Sequence, residues 1–282
     1  MVIYSSGEAG HQQLVDVLEK ELAGTYRLSR HTLAADQELA GALVPGTDLV
    51  ITVGVKASRL YLKNVAAAPP QLAVMLPRLA YQKLEASRSP GVRLNAVFVD
   101  QPLSRQVTLI RAVMPRAKRI GVVFGEGNES IVSELKQLTN ARGLELVSRQ
   151  VSRNSELYPA LQGVLQAAEV LLALPDPEVI NAGTAQNLLL TSYRYRKPVI
   201  AYSAGYVRAG ALAGLYSSPA QIAQTAARRA RELLERGSAA QEYSWPADFG
   251  VMINRNLAEN LGIEVPEERQ VLEMLRRSES SQ

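Results

Sequence analysis

The residues that most often carry out catalysis or bind metals are scarce in this sequence. It contains no cysteine and two histidines, His11 and His31. Neither histidine has a second histidine or a carboxylate at the spacing of a metal site, and both are interpreted as surface or packing residues. The absence of cysteine excludes disulfides, thiolate nucleophiles and cysteine-bound metals. We therefore expect no metal site and no cofactor.

Sequence motifs of catalysis and nucleotide binding are absent as well. There is no G-x-S-x-G elbow, P-loop or H-E-x-x-H pattern. The turn Gly125-Glu126-Gly127 lacks the third glycine of a dinucleotide-binding loop, and Glu126 would repel a pyrophosphate. Glu126 and Asp176 could form an acid–base pair, but two acids on neighbouring loops more often bind a ligand amine or cap helices. The sequence favours a protein that is not an enzyme.

The clearest pattern of secondary structure lies between Val170 and Gly237. Apolar runs of strand length at 170–174, 198–202 and 211–216 alternate with helical patterns at 179–195 and 219–235. This alternation is typical of βαβ units around a buried parallel sheet. Ligands of such sheets lie beyond the carboxyl ends of the strands, so we expect the loops 175–177, 202–206 and 215–218 to share one cleft.

The same alternation covers the rest of the chain and restarts once. Strands are predicted at 2–5, 26–31, 49–53, 71–76 and 95–100, and a helix at 34–43. After the turn Gln101-Pro102-Leu103, strands at 119–124 and 144–151 again alternate with helices. Extended segments at 241–245 and 250–253 and a helix at 255–261 complete the pattern. The sequence therefore predicts two α/β lobes, with a first crossing near residue 100.

The residues that follow the predicted strands are the candidate ligand contacts. The turn Ser5-Ser6-Gly7 precedes a helix N-terminus, where free N–H groups suit an anion, although an ordinary helix cap is the alternative. Gly54 suits a tight turn, and Lys56 in that turn suits a carboxylate unless it is a plain surface lysine. The complete predicted set is Ser5, Ser6, Gly7, Gly54, Lys56, Pro77, Glu126, Asp176, Asn181, Tyr202 and Tyr206.

Composition and charge argue against nucleic-acid and membrane-spanning roles. The 282 residues carry a formal charge of +4, and their basic residues are dispersed, as on solvated helix faces. The longest uncharged run, 209–227, is too polar to cross a bilayer, and the apolar start at 1–4 is too short for a signal peptide. We expect a trimmed mature form of an exported precursor.

Several segments resemble the ABC-transporter substrate-binding proteins of the type I periplasmic binding protein fold. These segments are Val113 to Val122, Leu174-Pro175-Asp176-Pro177, Lys197-Pro198-Val199-Ile200, Val207 to Leu212, and Ile253-Asn254 with Ala258 and Leu261-Gly262-Ile263. The likeness covers nearly the whole chain. Two turns depart from the family pattern: its threonine-rich turn is here Gly54-Val55-Lys56-Ala57, and its Asp-Pro turn is Leu76-Pro77-Arg78.

The resemblance implies an α/β fold of two Rossmann-like lobes with parallel sheets, joined by a hinge and closing on a ligand between them. Residues 1–100 plus 217–240 would form the first lobe, and 101–216 plus 241–275 the second. The charged, serine-rich end at 276–282 is expected to be frayed.

The resemblance also implies a solute-binding receptor that captures a small molecule, such as an amino acid, for an ABC-type importer. The expected partner is an ABC permease, with no nucleic acid, and with membrane contact only through a lipid anchor on the precursor. The expected location is periplasmic or lipid-anchored outside the inner membrane. For a zwitterionic ligand, Ser6 and Lys56 would contact the carboxylate and Asp176 or Glu126 the amine. The alternatives are a ligand-sensing regulatory module of the same fold and, less favoured, an enzyme on a doubly wound fold.

Overall fold

A computed structural model describes residues 1–5, 9–33, 45–64, 69–89, 91–181, 183–237 and 242–280. The chain divides into two compact units, Met1–Asp100 with Ser217–Phe249, and Gln101–Tyr216 with Gly250–Gln282. The predicted helix at 34–43 and the predicted contacts Ser6 and Gly7 lie outside the described residues.

The first unit is built on a six-stranded sheet in which every pair is parallel. Its strands are β1 (Val2–Ser5), β2 (Arg30–Leu33), β3 (Val50–Val53), β4 (Gln71–Leu76), β5 (Leu94–Phe98) and β11 (Tyr243–Ser244). Their order is β11-β5-β4-β3-β1-β2. The helices are α1 (Ala9–Leu22), α2 (Gly54–Asn64), α3 (Arg78–Ser87) and α9 (Pro219–Arg236).

The second unit repeats this strand order with one change of direction. Its strands are β6 (Arg119–Gly125), β7 (Glu145–Val151), β8 (Val170–Leu172), β9 (Val199–Ala201), β10 (Ala213–Tyr216) and β12 (Gly250–Ile253). They are ordered β12-β10-β9-β8-β6-β7, and only β12 is antiparallel to its neighbour. The helices are α4 (Leu103–Val113), α5 (Glu129–Asn140), α6 (Asn154–Ala167), α7 (Ala185–Arg194), α8 (Ala204–Arg208), α10 (Arg255–Leu261) and α11 (Glu268–Ser280).

Burial explains why the central segments form parallel strands. All residues of β3, β5, β8 and β9 are buried, as expected for strands covered by helices on both faces. Helix ends are set by local chemistry: Ser218 and Gln221 form a capping box at the start of α9, and Gly237 ends it in the left-handed conformation. In each sheet the strand order changes direction at the first strand, between β1 and β3 and between β6 and β8. A crevice at the carboxyl ends of these strands is where doubly wound sheets bind ligands.

The structure corrects four of the sequence-based assignments. The segment 242–249 belongs to the first unit instead of the second lobe, because β11 pairs with β5. Strand β2 begins at Arg30, which pairs with Val2, instead of at residue 26. Helix α7 begins at Ala185 instead of 179, since the preceding segment is held in turns by Asp176. The expected frayed end is helical to Ser280, because Val271 and Leu275 of α11 are fully buried.

Gly121 in β6 provides a test of how closely the second unit is packed. A Cβ atom at this position would lie 2.4 Å from Cγ1 of Val164 and 2.9 Å from Cβ of Ala168, both on or next to α6. We predict that Gly121→Ala lowers the free energy of unfolding by about 1–3 kcal/mol, because the Cβ of Ala168 cannot rotate away and Val164 on a helix strongly prefers one rotamer. Gly163→Ala is the matched control, since a Cβ there meets nothing within 4 Å and α6 should gain roughly 0.5–1 kcal/mol. Urea unfolding followed by circular dichroism measures both, and equal midpoints for the two variants would contradict the packing.

Candidate ligand-binding site

The carboxyl ends of β6 and β8 in the second unit are connected by one buried carboxylate. Asp176 is 1% exposed. Its Oδ2 accepts hydrogen bonds from the backbone N–H of Gly125, at 2.7 Å, and from Nδ2 of Asn128, at 2.6 Å. Its Oδ1 accepts from the backbone N–H of Glu178, at 3.0 Å. Asp176 therefore holds the turn after β6 against the loop after β8, and its predicted contact with a ligand amine remains a prediction.

Glu126 and Glu178 add negative charge beside this buried carboxylate. Both residues are exposed, and Oε2 of Glu178 accepts a hydrogen bond from the backbone N–H of Glu126, at 3.2 Å. A side chain at Gly125 would overlap Glu178, with the added Cβ 2.8 Å from the Cβ of Glu178. Glycine at 125 therefore allows the turn after β6 and the loop after β8 to approach each other. The side chain of Glu126 is exposed next to this contact, at the end of β6.

Tyr202 and Tyr206 form an aromatic pair after β9, in the same unit. Their ring centroids lie 5.1 Å apart with the planes tilted by 58°. Burial raises the pKa of Tyr202 well above its usual value, and the hydroxyl of Tyr206 and the charge of Asp176 act in the same direction. Tyr202 is therefore a neutral phenol close to Asp176. Tyr206 lies on α8, a short helix that begins where a loop was predicted, with Ser203 as its N-cap.

Asn181, the other predicted contact in this unit, is bonded within its own loop. Its Nδ2 donates to the carbonyl of Pro177, and its Oδ1 accepts from the N–H of Gly183, each at 2.9 Å. These bonds shape the segment that precedes α7. Its contact with a ligand stays a prediction.

In the first unit, the predicted residues Ser5, Gly54 and Lys56 follow the neighbouring strands β1 and β3. Gly54 begins α2 with a φ of +84°, and a Cβ there would lie 2.8 Å from Cε1 of His11. Only glycine satisfies both the backbone angle and this contact. His11 is buried, at 7% exposed, and packs against the turn, whereas Lys56 is exposed. Ser5 is half-buried at the end of β1.

Pro77 has neighbours that the sequence analysis did not single out. It precedes α3, whose first residue, Arg78, donates its backbone N–H to the carboxylate of Asp100, at 3.1 Å. The guanidinium carbon of Arg78 lies 5.9 Å from the centroid of the Trp245 ring, a cation–π distance. Burial raises the pKa of Asp100 to about 7, while the N–H of Arg78 acts in the opposite direction. These groups follow β4, β5 and β11, which are neighbours in the sheet.

The two units thus differ in the chemistry of their strand ends. The second presents carboxylates and an aromatic pair, and the first presents Lys56 and Arg78 with an aromatic residue. The sequence analysis did not select five residues, although each lies at the end of a predicted strand or in the turn after one: Asn128, Glu178, Arg78, Asp100 and Trp245. Among the described residues, no group of three or more His, Asp or Glu side chains could hold a metal ion. No helix in the described part of the chain is long and apolar enough to cross a bilayer.

Comparison with known proteins decides the family. Residues 31–274 match the family model described as ABC transporter substrate binding protein. The chain belongs to this family. Structures with the same fold include an ABC domain in complex with L-Trp from Streptococcus pneumonia, with a TM-score of 0.68, 17% identity and 97% coverage of both chains. A conserved domain protein from Vibrio cholerae gives a TM-score of 0.69 with 22% identity and 97% coverage of both chains. The predicted type I periplasmic binding protein fold is confirmed.

A curated relative is similar over part of the chain. The tyrosine-binding protein of Clostridioides difficile is 24% identical over 155 residues, which are 54% of this chain and 44% of that protein. A ligand-free, open substrate binding protein with adhesive properties from Clostridium difficile has a TM-score of 0.69 at 17% identity, and the match covers 94% of this chain and 95% of that one.

The internal bonds of Asp176 give a prediction about stability. We expect Asp176→Asn to lower the free energy of unfolding of the second unit by about 1–3 kcal/mol, because an amide cannot accept all three hydrogen bonds and sets one donor against another. Glu126→Gln is the control, since this exposed side chain should change stability by no more than roughly 0.5 kcal/mol. Thermal unfolding followed by circular dichroism measures both variants. Equal stability of Asp176→Asn and the unmodified protein would show that this carboxylate does not hold the two loops.

Proposed function

We propose that this protein is a solute receptor that binds an aromatic amino acid, or a close chemical relative, and delivers it to an ABC-type importer. The observation that carries the proposal is the aromatic pair Tyr202–Tyr206 after β9, in the same sheet in which the carboxylate of Asp176 follows the neighbouring strand β8. Strand ends of a doubly wound sheet are where such folds bind small molecules. Family membership supports the receptor role.

The chemistry of the second unit suits the two ends of such a ligand. A tilted aromatic pair offers an edge and a face to a third ring, with an interaction of about 0.5–1.5 kcal/mol beyond the burial of area. The exposed carboxylate of Glu126, supported by the buried charge of Asp176, favours an ammonium group. In the first unit, Lys56 is the group that we propose for the ligand carboxylate. The name of the tyrosine-binding relative agrees with this class of ligand.

We further propose that the ligand leaves chemically unchanged and that the protein acts outside the cytoplasmic membrane, with an ABC permease as its partner. The description of the family as transporter substrate-binding proteins supports this role. Incubation of the protein with L-tyrosine or L-tryptophan, followed by mass spectrometry of the solution, should recover the amino acid quantitatively. Time-dependent loss of the amino acid that scales with protein concentration would favour the enzyme alternative.

The ligand class is tested by calorimetry with L-tyrosine, L-tryptophan and L-leucine. We expect the aromatic amino acids to bind more tightly than leucine, and Tyr206→Ala to weaken their binding roughly tenfold or more, because the ring pair is lost. Tyr206→Phe keeps the ring and should retain most of the affinity. Tyr193→Ala is the matched control, since Tyr193 is 49% exposed on α7.

Two results would overturn this assignment. Equal affinity for leucine and the aromatic amino acids would remove the aromatic preference, and an unchanged affinity in Tyr206→Ala would move the site away from this pair. Lys56→Gln, read in the same titration, tests the contact with the carboxylate. This substitution should lower the affinity for L-tyrosine but leave the affinity for tyramine unchanged, because tyramine is the corresponding amine without the carboxylate.

A further inference from the structure

A cavity lies on the flank of the second unit, between helices α6 and α7. It encloses about 350 Å³. Its floor is formed by the buried side chains of Leu157 and Leu161 from α6 and Leu188 from α7. Its rim includes Tyr158 and Leu190, which are 55% and 45% exposed. This cavity, called here the α6/α7 groove, is apolar at its base and open at its edge.

A row of hydrogen-bonding side chains runs along the α7 side of the groove. Asn187, Thr191 and Arg194 all line it and are spaced at i, i+4 and i+7, so they share one face of the helix. Thr191 is 7% exposed, and its hydroxyl makes no hydrogen bond to any described residue; the hydroxyl is not one of the fully buried polar atoms that lack a partner, so it reaches the surface of the groove. The side chains of Asn187 and Arg194 likewise have no hydrogen bond or ion pair to any described residue.

The donor groups on α7 are available to an occupant of the groove. Their position beside an otherwise apolar floor favours an occupant that has both acceptor atoms and an apolar part. Arg194 is the only charged residue among the described residues that line the groove, so the charge there favours an anion. A guanidinium, an amide and a hydroxyl are all donors, and together they match the oxygens of a carboxylate.

We propose that the α6/α7 groove binds a small amphipathic carboxylic acid. Its carboxylate accepts hydrogen bonds from Arg194 and Thr191, with Asn187 beside them. Its alkyl or aryl tail lies on Leu161 and Leu188, under the ring of Tyr158. The volume is at the lower end of the range of small-molecule sites, so the acid is of medium length. This site is formed by helix faces, whereas the amino acid proposed above binds at strand ends.

The proposal is tested with octanoate and, as a neutral match of the same length, 1-octanol. The unmodified full chain is labelled with ¹³C at the leucine methyl groups, and either compound is titrated below its limit of micelle formation or solubility. Octanoate should shift the methyl signals of Leu157, Leu161 and Leu188, while Leu174, next to Asp176, reports binding at the strand ends. We expect octanoate to shift the methyl signals of the three groove leucines and to leave the signals of Leu174 unchanged. We expect 1-octanol to bind more weakly than octanoate.

Two substitutions test the donors. Arg194→Gln should lower the affinity for octanoate roughly tenfold or more, because a charge-assisted hydrogen bond is lost. Thr191→Val should lower this affinity severalfold, because a neutral hydrogen bond is lost. Arg153→Gln is the matched control: Arg153 is a largely exposed arginine in the same unit, paired with Glu156, and it does not line the groove. It should leave the affinity unchanged. Thermal unfolding of the three variants verifies that each is folded, and Arg194→Gln changes only an exposed side chain.

Four results would overturn the proposal. They are an absence of shifts at the three groove leucines, shifts at Leu174 instead, equal affinity for octanoate and 1-octanol, and equal affinity of Arg194→Gln and Arg153→Gln for octanoate. None of them decides whether an amino acid binds at the strand ends, because that binding is measured by calorimetry with other ligands and other variants.

Discussion

Burial on both faces is the constraint on which both units depend. The central strands β3 and β8 have no exposed residue, so their side chains can only pack or form internal hydrogen bonds. Polar side chains at the centre of the first sheet bond to one another: Oγ1 of Thr52 lies 2.9 Å from Oγ of Ser58 and accepts from Nε2 of Gln71, at 2.7 Å. Groups available to a ligand are therefore confined to the ends of strands and to helix faces.

At the strand ends of the second unit, the carboxylate of Asp176 is used in internal hydrogen bonds, whereas the carboxylate of Glu126 is exposed. Asp176 uses both oxygens to bind the turn after β6 and its own loop. This leaves Glu126 exposed and brings Tyr202 close to a negative charge. A single buried acid thus joins the turn after β6, which carries Glu126, to the loop after β8. Internal hydrogen bonds hold these two loops together, and loops that are already ordered lower the cost of binding.

The sequence was sufficient for the fold class but insufficient for the edges of the sheets. Short continuous apolar runs such as those of β3 and β8 predict buried strands, whichever strands they pair with. Their alternation with helical patterns predicts a parallel sheet. The short strand β11 has too few residues to carry a pattern, and only its pairing with β5 places it in the first unit. Strand β2 is half-exposed, so its position depends on its register with β1 instead of on its composition.

The candidate site was predictable in position but not in role. Topology alone places Glu126, Asp176 and Tyr202 after neighbouring strands, because parallel strands end at one edge. It does not show that Asp176 is buried, since burial depends on how the loops fold over it. The sequence also does not show whether the side chain of Asn128 caps α5 or bonds to Asp176. In the structure it makes no capping bond, and its Nδ2 donates to Oδ2 of Asp176.

The two sheets share one strand order, so their strand ends can be compared position by position. The residue pairs after β3 and β4 supply the cations Lys56 and Arg78, whereas the equivalent β8 and β9 are followed by Asp176 and by Tyr202 with Tyr206. One topology therefore carries opposite charge in its two copies. The strands are buried in both sheets, and the charged residues lie beyond the strand ends. The difference in charge between the two units therefore has little effect on the packing of the strands. The strand ends of the two units are therefore alike in topology and unlike in chemistry.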